Sequence, residues 1–149
     1  TGLVPTVRQD LFEIGGCYAG YPPGPLIGMP GRGRQAIEGE FPGWQVDPKI
    51  TSDGWWYGRS YETQEEAVGR SESIVQWLEK TEELEGERSV LVIHADLKRL
   101  LLATMLEAIP WHQLEDAYNT SVSHLSFADD EWRLHSYNSI SHLPAKWIT

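Results

Sequence analysis

Cysteine is almost absent from this 149-residue sequence, in which Cys17 is the only one. A lone cysteine excludes an internal disulfide and a cysteine metal cluster, because both need more than one thiol. It also fits a reducing compartment such as the cytoplasm. Long apolar runs are missing as well, since no stretch approaches the roughly 20 residues of a membrane helix, and no signal peptide is visible.

Positive charge is scarce too. The chain carries 12 Lys and Arg against 22 Asp and Glu, which gives a formal net charge of −10. Such a surface repels nucleic acid and anionic lipid, so we expect neither nucleic acid nor a membrane as a partner. An anionic substrate would need a local cluster of positive groups that overcomes this field.

The length and the patterning of the chain predict one α/β domain with helices packed on a sheet. Residues 18–33 are dense in proline and glycine and predict a long loop, and residues 34–41 predict a short helix. Thr63 and Glu66 form a capping box, which predicts the start of a longer helix that runs towards Gly86.

The second half of the chain begins with the run Ser89–His94, which is apolar up to its final histidine and typical of a strand covered on both faces. A helical stripe follows it and is expected to end at Pro110; its members are Leu97, Leu100, Leu101, Thr104, Met105 and Ala108. Residues 111–118 predict a further short helix. Residues 120–127 and 131–137 predict two strands, and the "ADD" between them favours a hairpin.

Several motifs in the sequence are poor candidates for chemistry. The stretch Gly31–Ala36 matches the dinucleotide fingerprint, but a Pro/Gly loop stands where that fingerprint needs a strand. Cys17 lacks the arginine of a cysteine phosphatase loop. The five histidines show no H-x-x-x-H spacing, so we expect no metal site and no cofactor.

His94 is the first candidate site residue, because it ends the predicted strand and faces a helix N-terminus. Ligands of open α/β sheets bind beyond the carboxyl ends of strands, and a helix N-terminus suits a phosphate. The alternative is a core histidine satisfied by a backbone carbonyl.

Glu13 is the second candidate, an acid set among apolar residues before two glycines. Burial favours the protonated form of a carboxyl, which would suit a general acid. The alternative is an exposed glutamate on an edge strand. Trp44, Trp55 and Trp56 form a candidate substrate rim, although packing under a long loop explains them better.

Six segments, taken in order, resemble the histidine phosphatase superfamily, which has the phosphoglycerate mutase-like fold. They are "LFEIGG", "GRGRQAIEGEFPG", "YETQEEAVGR", "SVLVIHADLKRLLLATML", "NTSVSHLSF" and "LHSYNSISHLP". The resemblance implies a three-layer sheet with helices on both faces, in a single but partial domain over residues 1–149. It also implies a phosphorylated small molecule or phosphoprotein as the substrate.

The resemblance assigns roles to three positions. His94 is similar to the second active-site histidine of the family, which binds and polarises the phosphoryl group. Glu13 is similar to the acid that protonates the leaving oxygen. The backbone N–H of Ala95 is implied to bind phosphate, although alanine stands where the family has glycine and its methyl group crowds a close approach.

The family's Arg-His-Gly signature, which carries the nucleophilic histidine, does not occur in these residues. We therefore expect an N-terminal portion, upstream in the same protein or on a partner chain, to complete the domain. Without it the strand ending at His94 would have an unpaired edge. The function implied is phosphomonoester hydrolysis through a phosphohistidine, with this chain alone inactive. A non-catalytic subunit that keeps the fold is the alternative, and a phosphoglycerate mutase-type phosphotransferase is a lesser one.

Overall fold

The computed structural model describes residues 2–81, 86, 88–107 and 110–147. The chain divides into two compact units, residues 1–67 and residues 68–149. Both contain helices and short sheets, so the predicted α/β class is confirmed. The three-layer arrangement, the single domain and the missing N-terminal portion stay predictions. None of the described helices has the length and apolar character needed to cross a membrane.

The first unit is built mainly from loops on an aromatic core, as the Pro/Gly content predicts. Phe12 lies 5.1 Å from the ring of Trp55 and 4.8 Å from that of Trp56. Four two-residue strands pair two by two, β1 with β4 in parallel and β2 with β3 antiparallel. The elements are β1 (Thr6–Val7), β2 (Tyr18–Ala19), β3 (Ile27–Gly28), α1 (Arg34–Glu40) and β4 (Gln45–Val46).

Helix α2, Gln64–Lys80, begins where the capping box predicts it. The Thr63 backbone N–H donates to Glu66 Oε2 at 2.7 Å, and the Glu66 N–H donates to Thr63 Oγ1 at 3.2 Å. These two bonds satisfy donors that the first turn of a helix leaves unpaired. The helix ends at Lys80, and residues 82–85 of the predicted extension lie outside the described residues.

Helix α3, Ala95–Leu106, buries its leucine stripe and contacts α2 through a hydrogen bond. Leu97, Leu100 and Leu101 are buried as the periodicity predicts, and Leu102 is buried as well. Between the helices, Ser71 Oγ and Thr104 Oγ1 are 2.8 Å apart. The helix ends before Pro110, because Glu107 adopts a left-handed conformation and caps it.

The predicted hairpin is confirmed. Strand β5, Val122–Ala128, pairs antiparallel with β6, Glu131–Ser139. The two residues between them, Asp129 and Asp130, have φ of 55° and 59°. Two left-handed residues give a turn whose twist matches that of the strands, and aspartate tolerates this conformation.

Two predicted elements are wrong. Residues 89–94 form no strand, and Val90 and Val92 are 83% and 90% exposed. The apolar run has the right composition for a buried strand, but no strand within the described part of the chain pairs with it. Of the helix predicted over residues 111–118, only the 3-10 turn Trp111–Gln113 forms. A second 3-10 turn, Ala145–Trp147, lies at the end of the described residues.

Candidate active site

Glu13 lies half-buried in a tight turn of the first unit. Its Oε1 accepts a hydrogen bond from the Ile14 N–H at 2.8 Å, and its backbone carbonyl accepts one from the Gly16 N–H at 3.1 Å. The carboxylate is therefore held against the turn that carries it. The alternative of an exposed glutamate on an edge strand is wrong, because Glu13 belongs to no strand.

The two glycines after Glu13 let this turn approach the aromatic core. Gly15 and Gly16 have φ of +98° and +76°, a region that other residues rarely adopt. A Cβ on Gly16 would lie 2.3 Å from the ring of Trp56, which is 1% exposed. The core thus fixes the place of the turn and of the Glu13 backbone.

Glu62 supports the same turn and was not found by sequence reasoning. It is 2% exposed, and its Oε2 accepts a hydrogen bond from the Gly15 N–H at 3.3 Å. Its own backbone N–H donates to the Gly15 carbonyl at 3.0 Å. The sequence offers one weak signal, the position directly before the capping-box residue Thr63, and nothing in the pattern separates Glu62 from the exposed Glu65.

His94 stands at the N-cap of α3, with extended backbone at φ −80° and ψ 168°. Its carbonyl accepts the Lys98 N–H at 3.0 Å, while its side chain makes no capping bond and is exposed. The alternative of a core histidine is therefore wrong for this position. The exposed Ala95 follows at the first helical position, where a backbone N–H has no partner within the helix.

The charges around the start of α3 are balanced. Asp96 lies in the first turn, and its carboxylate is 3.2 Å from Arg99 Nη1. The same Nη1 lies 2.7 Å from Asp116, so one nearly buried guanidinium joins two carboxylates. The helix end offers positive partial charge to an anion, but Asp96 offsets part of it.

Lys98 is a second cation near the start of α3, one turn after His94. Its Nζ donates to Ser121 Oγ at 2.8 Å and lies 5.5 Å from the ring centre of Tyr137. Burial lowers the pKa of Lys98, because it disfavours the charged form. Burial also raises the pKa of Tyr137, whose hydroxyl donates to the Glu115 carbonyl. These contacts fix the loop and the hairpin behind α3.

The tryptophans of the predicted rim separate in the structure. Trp56 is buried, and its Nε1 donates to the Ser60 carbonyl at 3.0 Å. Trp55 contacts Phe12, whereas Trp44 is 41% exposed and stacks on Phe41 at 4.6 Å. Packing under the loop therefore accounts for Trp55 and Trp56.

The predicted site residues fall in different units. Glu13 lies in the first unit, and the adjacent pair His94 and Ala95 lies in the second. Each position is defined within its own unit, and the proposal that they form one site stays a prediction.

The structure defines a mixed α/β protein whose second unit presents a histidine at the N-terminus of a helix. A family model described as "Histidine phosphatase superfamily (branch 1)" matches residues 28–140, so the chain belongs to the histidine phosphatase superfamily. The match confirms the resemblance seen in the sequence and includes His94 and Ala95, but it begins after Glu13. No curated protein and no solved structure matches the chain.

Proposed function

We propose that this chain is part of a phosphoric monoester hydrolase that works through a phosphohistidine. The nucleophilic histidine is supplied by sequence upstream of residue 1 or by a partner chain. It attacks phosphorus, the bond to the leaving oxygen breaks, and Glu13 donates the proton that this oxygen takes up. Water then attacks phosphorus, loses a proton, and releases phosphate and the free histidine.

The observation that carries the proposal is the placement of His94 in a chain of this superfamily. An exposed imidazole directly before a helix N-terminus can donate a hydrogen bond to a phosphoryl oxygen, next to backbone N–H groups that face the same way. The Ala95 N–H is the nearest of these groups. Together they would stabilise the charge that develops on the equatorial oxygens.

The turn around Glu13 supports an acid role. A proton donor must be held in place to act on a leaving group. The two glycines, the Trp56 ring and the buried Glu62 carboxylate restrict the backbone of this turn. The bond from the Ile14 N–H to Glu13 Oε1 holds the side chain against the same turn.

The exposed apolar segment before His94 supports an additional strand. Val90 and Val92 are more than four-fifths exposed, and alternation places both on one side of an extended chain. Exposed β-branched residues on an extended segment are what a pairing strand covers. We propose that the segment bearing the nucleophilic histidine pairs here.

A non-catalytic subunit that keeps the fold is the second candidate. It is favoured by Ala95, where the family has glycine, and by the lack of an Arg-His-Gly sequence in these residues. A mutase-type phosphotransferase is less favoured, because no sequence feature protects a phosphoenzyme from water.

The test uses the protein with its upstream reading frame, assayed on phosphomonoesters with good and poor leaving groups. We expect His94→Ala to abolish hydrolysis of both, and His142→Ala, at another exposed histidine, to leave it unchanged. Glu13→Gln should slow the poor leaving group most, since that group depends on the proton. Unchanged activity in His94→Ala would refute its role, and equal slowing of both substrates would remove Glu13 from the acid role. A frame that begins near Thr1, with no phosphatase activity, would support the non-catalytic subunit.

A further inference from the structure

Two histidines that are distant in sequence meet on the outer face of the hairpin. His124 lies on β5 and His135 on β6, both are exposed, and their ring centres are 4.7 Å apart with 34° between the ring planes. We propose that this pair binds a divalent transition metal ion such as Zn²⁺. The proposal is independent of the phosphatase function, because it uses neither Glu13 nor His94.

An irregularity in the strand pairing brings the two rings together. Near the turn, Leu125 pairs with Leu134 and Ser126 with Arg133. The register shifts between His124 and Leu125, so that His124 pairs with Ser136. His135 is thus the extra residue of a bulge, and a bulge redirects a side chain. It lies beside both His124 and Ser126.

The spacing of the rings fits shared coordination. Zinc–nitrogen bonds of about 2.0–2.1 Å at angles of about 90–110° place the centres of two ligating imidazoles about 4.5–5.2 Å apart. The observed 4.7 Å falls inside this interval. Imidazole is a preferred ligand of zinc, copper and nickel.

Ser126 supplies the supporting contact that a metal-binding histidine usually has. Its Oγ lies 2.8 Å from His135 Nε2. If Nε2–H donates to this hydroxyl, Nδ1 carries the lone pair and is the nitrogen that binds metal. Such a bond fixes the tautomer and orientation of a ligating ring.

The surrounding charges favour a cation. The one guanidinium on the turn side of the pair, Arg133, lies 3.7 Å from Asp129 and 4.0 Å from Glu131. Asp130 adds a further carboxylate at the turn, and the whole chain carries −10. No group of three metal-binding side chains is found among the described residues. Water would therefore complete the coordination of a metal held by this pair.

The test is calorimetric titration of the untagged chain with ZnCl₂. We expect one ion per chain, and a loss of more than about tenfold in affinity in both His124→Ala and His135→Ala. Ser126→Ala should weaken binding by about tenfold, because it removes the supporting bond while keeping both ligands. His112→Ala and His142→Ala remove single exposed histidines and serve as matched controls.

The outcomes distinguish zinc binding by the His124–His135 pair from weak zinc binding by single exposed histidines. Zinc should also raise the melting temperature of the parent chain and not that of His124→Ala, since a ligand of the native state stabilises it. Far-UV circular dichroism shows whether each variant keeps the fold, and His124→Gln repeats the test with a larger side chain. No binding, or equal losses in the two controls, would overturn the proposal.

Discussion

Replacing Gly16 with alanine adds one methyl group to the turn that carries Glu13, where there is no room for it. The added Cβ would lie 2.3 Å from the ring of Trp56. That ring is 1% exposed and lies 4.8 Å from Phe12, so it has little space in which to move. The residue also has φ of +76°, which disfavours any side chain.

The expected loss of stability has two parts. The left-handed backbone costs alanine about 1–2 kcal/mol, and overpacking a filled core costs about 1–3 kcal/mol. We therefore expect Gly16→Ala to lower the free energy of unfolding by about 2–5 kcal/mol. This is a large part of the stability of a typical domain, which is about 5–15 kcal/mol.

Two other glycines of the same unit provide controls. Gly43 has φ of +86° but nothing within 4 Å of an added Cβ, so Gly43→Ala measures the backbone part alone. Gly39 lies inside α1 with open space and an ordinary φ. Gly39→Ala should therefore stabilise the chain by about 0.5–1 kcal/mol, as expected for a helix interior.

The assay is urea unfolding followed by tryptophan fluorescence, which reports on Trp56 and its neighbours. The predicted order of stability is Gly39→Ala, parent, Gly43→Ala and Gly16→Ala. If Gly16→Ala were no less stable than Gly43→Ala, the Trp56 ring would have moved to make room for the methyl group. The core would then not fix the Glu13 turn.

Two further predictions concern the ends of helix α2 and of the hairpin strands. The hydrogen bonds from Thr63 lower the pKa of Glu66 below its ordinary value of 4.5, because they favour the charged carboxylate. The carboxylate therefore stabilises the folded chain fully above pH 4.5, and this contribution is lost as the pH falls through the lowered pKa. Glu66→Ala removes the carboxylate that accepts these bonds, so it should lower the melting temperature at pH 6, with a difference from the parent that narrows towards pH 3 as the parent's carboxyl becomes protonated. A difference independent of pH would contradict this role of the capping box. Asp130→Gly should raise the free energy of unfolding by about 0.5 kcal/mol, because glycine adopts the required φ of 59° without strain. Chemical denaturation would detect this increase. Glu131→Gly, one residue later in β6, should lower stability instead, and a loss in both variants would contradict the turn assignment.

The proposed phosphatase function depends most on two residues whose positions the sequence indicates but whose side-chain environments it does not. His94 follows an apolar run and precedes an amphipathic stripe, and both signals are local. The structure adds that its side chain is exposed and makes no capping bond, which excludes the core histidine. For Glu13, the structure adds that Gly15, Gly16 and Glu62 restrain the backbone of the turn that carries it.

The strand expected over residues 89–94 shows where local reasoning fails. Composition identified the run as apolar and β-branched, which is the property of a strand that can be buried. Burial itself needs neighbours on both sides, and these come from other parts of a fold. Val90 and Val92 are therefore exposed here, in spite of a sequence that favours the interior.

The sequence by itself determined the elements whose signals are local. The capping box of α2, the leucine stripe of α3, the two-residue turn of the hairpin and the family of the chain all follow from neighbouring residues or from their order. Only the tertiary structure decided which distant side chains meet. Glu62 reaches Gly15 across 47 residues of chain, and His135 meets His124 because a bulge shifts the register of two strands. Chain folding creates these contacts, and residue spacing alone carries no trace of them.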